Sequence, residues 1–157
     1  MKKISAKERG WLGFLLLTVN PLFSEMWRRW DAMQLDAKVE TVQLETIQTK
    51  DGGTNFRIVA NPEYWRKCSD YTKAFIVCHE MCHVLFGHFI VHPKLDKDWV
   101  NIAQDIEVNE YLTSTHFTKD PGVEIATVNS VFKHRASEIH SRKGYMYYYN
   151  LLMQCLR

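Results

Sequence analysis

The run Ala74-Phe-Ile-Val-Cys-His-Glu-Met-Cys-His-Val-Leu-Phe-Gly-His88 constrains this chain more than any other stretch. It is apolar enough to be a core helix, with Ala74, Phe75, Val77, Val84, Leu85 and Phe86 as its buried positions, yet it carries histidines, a glutamate and two cysteines. Burying an imidazole or a carboxylate without a partner is costly, so the core here has to be built around something polar. His79 and His83 stand at i and i+4, about 40° apart around a helix, so both rings can reach one point. Glu80 follows the first histidine and can lie beside that point without ligating it. His79-Glu-Met-Cys-His83 is the HExxH arrangement, in which the histidines hold zinc and the glutamate takes a proton from the attacking water. Bound zinc lowers the pKa of such a water from about 15.7 to about 7.

A catalytic zinc site needs a third protein ligand and one open position. His88 is nearest, but five residues past His83 it points about 140° away unless Gly87 breaks the helix and redirects it. The pattern HExxHxxGxxH is not met, because Phe86 and Phe89 occupy its glycine and third-histidine positions. His88 and His92 are therefore expected on the surface or behind the ligands. The next helical segment offers more: Asn101, Asp105 and Asn109 form an i, i+4, i+8 polar stripe, with Ile102, Ile106, Val108 and Leu112 supplying apolar contacts. If the stripe faces the first helix, Asp105 completes a His-His-Asp set, while Glu107 and Glu110 fall on other faces. Cys78 and Cys82 sit about 100° back from the histidines and read as small buried hydrophobes.

The rest of the chain frames an α+β domain over residues 1–157. Residues 5–19 read as an apolar helix behind Lys2, Lys3 and Lys7. It lacks a small-residue cleavage site and falls short of the roughly 20 residues a membrane span needs, so a retained, buried helix is expected. Pro21, capped by Asn20, opens a second helix through Met33. Residues 38–49 lean towards a strand, Asp51-Gly-Gly53 is a turn, and 55–60 form the second strand of a hairpin. Asn61-Pro62 starts a short helix over 64–67. Ser69 or Asp70 caps the histidine helix, which runs to about Gly87, and Asp98 caps another over 99–112. Residues 113–129 read as loop, 135–139 as a helical turn and 145–156 as a closing helix. The net charge of +2 without a Lys/Arg run indicates no nucleic-acid partner. The four cysteines follow no disulfide framework, which points to reduced thiols and a cytoplasmic protein.

Taken together, His79–His83 and Val84-Leu-Phe-Gly-His88, followed by Trp99-Val-Asn-Ile-Ala-Gln-Asp-Ile-Glu-Val-Asn-Glu-Tyr-Leu112, resemble a known family. It is the putative metallopeptidase domain found at the N-terminus of bacterial VWA-like proteins and in stand-alone or phage-borne versions. Thr49–Gly52, Asn61–Tyr64 and Gly144–Leu152 extend the resemblance over most of the chain. The resemblance implies a zincin-like fold, mostly helical with a small hairpin or sheet next to the HExxH helix. It also implies zinc held by His79, His83 and Asp105, with Glu80 as base. Asn101, Asn109, His88 and Tyr111 are candidates to support the ligands or touch substrate. The chain departs from the pattern by one inserted residue within Trp99-Val100-Asn101 and by the lack of an acidic residue before Tyr149. No VWA-like half follows, so what that half contributes is expected to be absent or supplied by a partner chain.

The expected activity is peptide-bond hydrolysis, with a peptide or protein substrate and no membrane partner. The hairpin could hold substrate in extended form if its edge borders the cleft. Tyr111, Tyr145, Tyr147, Tyr148 and His116 are the candidate oxyanion donors. The alternative is a catalytically silent module of the same fold that binds a host target, against which stands the retention of Glu80. A purely structural zinc site ranks behind both, for want of a fourth Cys or His.

Overall fold

The computed structural model describes residues 1–155. They form helices and a small mixed sheet, an α+β arrangement as expected, in two compact units that meet within one helix.

The first unit spans Met1–Met81. It contains β1 (Lys2–Lys3), α1 (Ala6–Val19), α2 (Pro21–Arg29), β2 (Gln34–Leu35), β3 (Val42–Gln48), β4 (Thr54–Ala60), α3 (Pro62–Lys67) and the start of α4 (Asp70–Leu85). The strand order is β1-β2-β4-β3. β3 and β4 are the expected hairpin, antiparallel from Val42 opposite Ala60 to Gln48 opposite Thr54. Its turn closes because Gly52 adopts φ +84 and the Asp51 carboxylate accepts from the Gly53 amide and the Thr49 hydroxyl. β4 also pairs in parallel with β2, so it is a central strand. Its last residues, Ile58-Val-Ala60, are accordingly buried without alternation. The two-residue strands β1 and β2 were not anticipated.

α1 and α2 begin where their caps stand, Ser5 accepting from the Glu8 amide and Asn20 from that of Leu22. α2 stops at Arg29 rather than Met33. The Arg9 guanidinium donates to the Trp27 and Trp30 carbonyls at its end, and the Trp27 indole donates to the Arg9 carbonyl. α1 is not the buried helix expected: it buries Leu12 and Leu16 and leaves Trp11, Phe14 and Leu17 about half exposed. Being apolar nearly all round, it has more hydrophobic surface than one packed face can cover. Among the described residues, no helix is long and apolar enough to cross a membrane.

The second unit runs from Cys82 and holds the end of α4, α5 (Lys97–Thr115), α6 (Val128–Phe132), a 3-10 segment (Lys133–Glu138) and α7 (Tyr145–Cys155). α5 starts two residues before the expected position, because Asp96, not Asp98, accepts from the Asp98 and Trp99 amides. Val100, Ala103 and Ile106 on α5 cluster with Tyr148, Tyr149 and Leu152 on α7 and with Val128 and Phe132 on α6. This core fixes the rotation of α5 about its axis. The Glu110 carboxylate accepts from the Val128 amide, and Asn109, buried, donates to the Ala126 carbonyl. The loop before α6 is thereby tied to α5.

Candidate metal centre

The centre is built on α4 and α5. Ser69 opens α4 by accepting from the Thr72 amide. From Ala74 to Cys78 every side chain is buried, as are Met81 and Cys82, so most of the helix circumference is core. His79, Glu80 and His83 alone interrupt that run, each half-buried, and share the helix face that reaches outward. Burial pushes the Cys82 thiol up to about 12, with the charge of Glu107 adding to the effect, so at neutral pH it offers no thiolate. None of the four cysteines is in a disulfide, and Cys78 and Cys82 are core residues.

α4 ends in a Schellman motif. Gly87 takes φ +71, its amide donates to the Val84 carbonyl at 3.0 Å, and the His88 amide donates to the His83 carbonyl at 2.9 Å. The chain therefore turns back after one left-handed residue, and the His88 ring returns to the helix it has just left. His88 Nδ1 lies 2.8 Å from His83 Nδ1, and His88 Nε2 is hydrogen-bonded to the Glu107 carboxylate. Far from being a surface residue, His88 is 5% exposed. The Gln104 amide donates to its carbonyl at 3.0 Å, and the ring packs edge-on against Tyr145.

α5 brings Asp105 to the other side of His83. Asp105 Oδ1 is 3.1 Å from His83 Nε2, and one ligand atom from each of His79, His83 and Asp105 lies within 4.8 Å of the others. His79 stands one turn back from His83 on the same uninterrupted helix, so this convergence rests on α4 and α5 alone. Two donors sharing a zinc ion at about 2.1 Å are about 3.4 Å apart in tetrahedral geometry and at most about 4.2 Å. The His83–Asp105 pair already meets that condition, and an imidazole–imidazole–carboxylate set suits zinc. Asp105 remains 42% exposed at its side chain against 18% for His83, which leaves the centre approachable.

The other expected participants separate. Asn101 is exposed and lines a cavity with His88, Val91, His92 and Gln104. Asn109, the third member of the stripe, holds the loop before α6. The Tyr111 hydroxyl is 3.3 Å from His116 Nε2, and its ring meets Phe86 edge-on. Tyr147 and Tyr148 use their hydroxyls on the 140–143 turn: each accepts from a backbone amide there, and Tyr148 also donates to the His140 carbonyl. Glu107 lies on another face of α5 from Asp105, as its spacing indicates, and the turn at Gly87 carries His88 round to meet it. Sequence reasoning missed Gln104, since nothing in a helical pattern announces that a buried glutamine will hold one particular carbonyl.

A family model described as "Putative metallopeptidase domain" matches residues 31–149, which include α4, α5 and every residue of the centre. No curated protein and no solved structure matches the chain.

Proposed function

Because the chain belongs to the putative metallopeptidase domain family, whose activity implies a metal, we propose that it is a zinc peptidase acting on peptide or protein substrates. The observation that carries the reading is the convergence of His79, His83 and Asp105 from one helix face and its neighbour. These residues would hold the ion, and as three protein ligands they would leave the open position that a catalytic rather than structural site requires. When bound, zinc supplies Lewis acidity to the scissile carbonyl and makes hydroxide accessible near neutral pH.

The remaining work falls to the chain's own groups. Glu80, next to His79 on the half-buried face of α4, accepts the proton of the attacking water and returns it to the departing amine. A carboxylate suits this two-way transfer because it can hold the proton between the steps without ligating the ion. Asp105 balances charge at the centre, and its partly exposed carboxylate leaves the centre within reach of solvent.

The test is metal content by elemental analysis, run with cleavage of a denatured-protein mixture. The expected outcome is about one zinc per chain in the wild type, lost in Asp105→Ala. Glu80→Gln should keep the zinc while cleavage falls about 10²–10⁴-fold, the usual contribution of general acid–base catalysis. Zinc without cleavage would favour a binding module on the same fold, and no zinc would refute the reading.

A further inference from the structure

We infer that the cavity beside α5 is a subsite for a glutamate side chain of the substrate, with Lys97 as the residue that selects it. The inference rests on the peptidase reading above and narrows the substrate it names. The cavity, about 240 Å³, lies wholly within the second unit, between the segment that follows α4 and the first two turns of α5. That is smaller than the roughly 300–1,000 Å³ of sites for drug-sized ligands and suits a single side chain. Lys97, Asn101 and Asp105 stand at i, i+4 and i+8, so the cavity and the acid of the centre share one face of α5. Eight residues of helix rise about 12 Å. An extended peptide covers that distance in about four residues, at roughly 3.3 Å each. A substrate cut at the centre and running along this face therefore brings a side chain within about four residues of the cleaved bond to the cavity.

The chemistry of the lining chooses the side chain. Val91, Pro93, Leu95 and Val100 give apolar walls for methylene groups. Among the described residues that line the cavity none is acidic, and Lys97 supplies a fixed positive charge. Its acidic neighbours stand elsewhere: Asp96 turns its carboxylate to the Asp98 and Trp99 amides, and Asp98 lies about 100° round the helix from Lys97. The His92 ring accepts from the Lys94 amide at Nδ1, 3.2 Å away, so its Nε2 carries the proton and is a donor. Asn101, exposed one turn on from Lys97, adds an amide that can donate, whereas that of Gln104 is engaged by the His88 carbonyl. Apolar walls, a cation and neutral donors complement a carboxylate on an aliphatic stem and repel a lysine or arginine side chain. Glutamate fits better than aspartate because it has a second methylene to bury against the walls. The carboxylate at the end of a substrate chain offers the same charge, so the test has to separate the two.

Cleavage of a peptide library made from a denatured proteome, with product ends read by mass spectrometry, tests this in the wild type and in Lys97→Arg, Lys97→Ala and Lys97→Glu. The variants should fold, because the residue is exposed and an acidic side chain is favourable in the first turn of a helix. The expected wild-type result is enrichment of glutamate at one position within about four residues of the cleaved bond. Lys97→Arg should retain it. Lys97→Ala should reduce the preference in kcat/KM for a glutamate peptide over its glutamine counterpart about fivefold, the upper range for an ion pair within reach of solvent. Lys97→Glu should exchange that preference for lysine or arginine. Cleavage without an acidic preference, or a glutamate preference unchanged in Lys97→Glu, would overturn the inference. Cleavage confined to the last few residues of substrate chains would assign the cavity to a terminal carboxylate and equally overturn it. If nothing is cleaved, the proposed function fails and binding decides the subsite. The amide ¹H–¹⁵N shifts of Val91 and Asn101 are then followed with an acetylated, amidated alanine peptide carrying one central glutamate, and with its glutamine counterpart. A response to the glutamate form alone, lost in Lys97→Glu, upholds the subsite, and an equal response or none refutes it.

Discussion

Replacing Gly87 by alanine isolates the contribution of a single left-handed residue to the centre. Gly87 has φ +71, and a Cβ built on it meets nothing within 4 Å, so the substitution adds backbone strain without a steric clash. A left-handed conformation costs an L-residue roughly 1–2 kcal/mol. Alanine also restricts the unfolded chain, returning about 0.4–1 kcal/mol. The net expectation is a loss of about 1 kcal/mol, which for a chain of this length lowers the midpoint of thermal unfolding by about 2–4 °C. Asparagine, which tolerates this region better, should lose less than alanine. Urea unfolding of the wild type and both variants checks the order. If the alanine variant escapes strain by leaving the left-handed region, the His88 amide loses the His83 carbonyl and zinc affinity falls as well. Equal or greater stability with wild-type zinc affinity would refute the account of this turn.

Other expectations follow from the core and from ionisation. Leu152→Ala, at a fully buried position between α5 and α7, should cost about 2.7–5 kcal/mol in chemical denaturation. Removing α7 by truncation after Gly144 strips Tyr148, Tyr149 and Leu152 from that core and should abolish cooperative unfolding of the second unit; a stable, metal-binding truncation would contradict it. Asn109→Ala should cost about 1–3 kcal/mol by leaving the Ala126 carbonyl without its amide donor, measurable by urea titration. The Cys82 thiol, ordinarily near 9 and raised to about 12 on folding, favours the folded state fully below about pH 9 and loses that contribution as pH rises towards 12. Cys82→Ala should flatten the alkaline fall in stability, and an unchanged profile would show that the burial of this thiol is not what produces it.

How far the sequence reached depended on the range of the physics involved. The hairpin, the proline-started helices and the histidine helix were legible because periodicity, turn residues and caps act within a few positions. The position of Asp105 beside His83 was legible because its spacing from Asn101 and Asn109 marks one helix face. The cap of α5 was misplaced by two residues because Asp96 and Asp98 are chemically equivalent, and only the folded backbone shows which accepts. β1 and β2 gave no signal, since two residues cannot display a period. The contact of Glu107 with His88 was not legible for a different reason. The partner of Glu107 is not on the helix whose face was being reckoned but on the turn beyond it, and the left-handed Gly87 alone decides where that turn leads.

The contacts of the centre also have a kinetic meaning. His83 meets His88 over 5 residues, Asp105 over 22, and His88 meets Glu107 over 19. Closing a loop of 22 residues rather than 19 costs only about 0.1 kcal/mol more entropy, so the two closures between α4 and α5 are nearly one event. Once either acid finds its histidine, the other stands one helical half-turn away. The pairing of these helices therefore belongs with the short-range steps of folding, ahead of the more distant packing of α7 on α5.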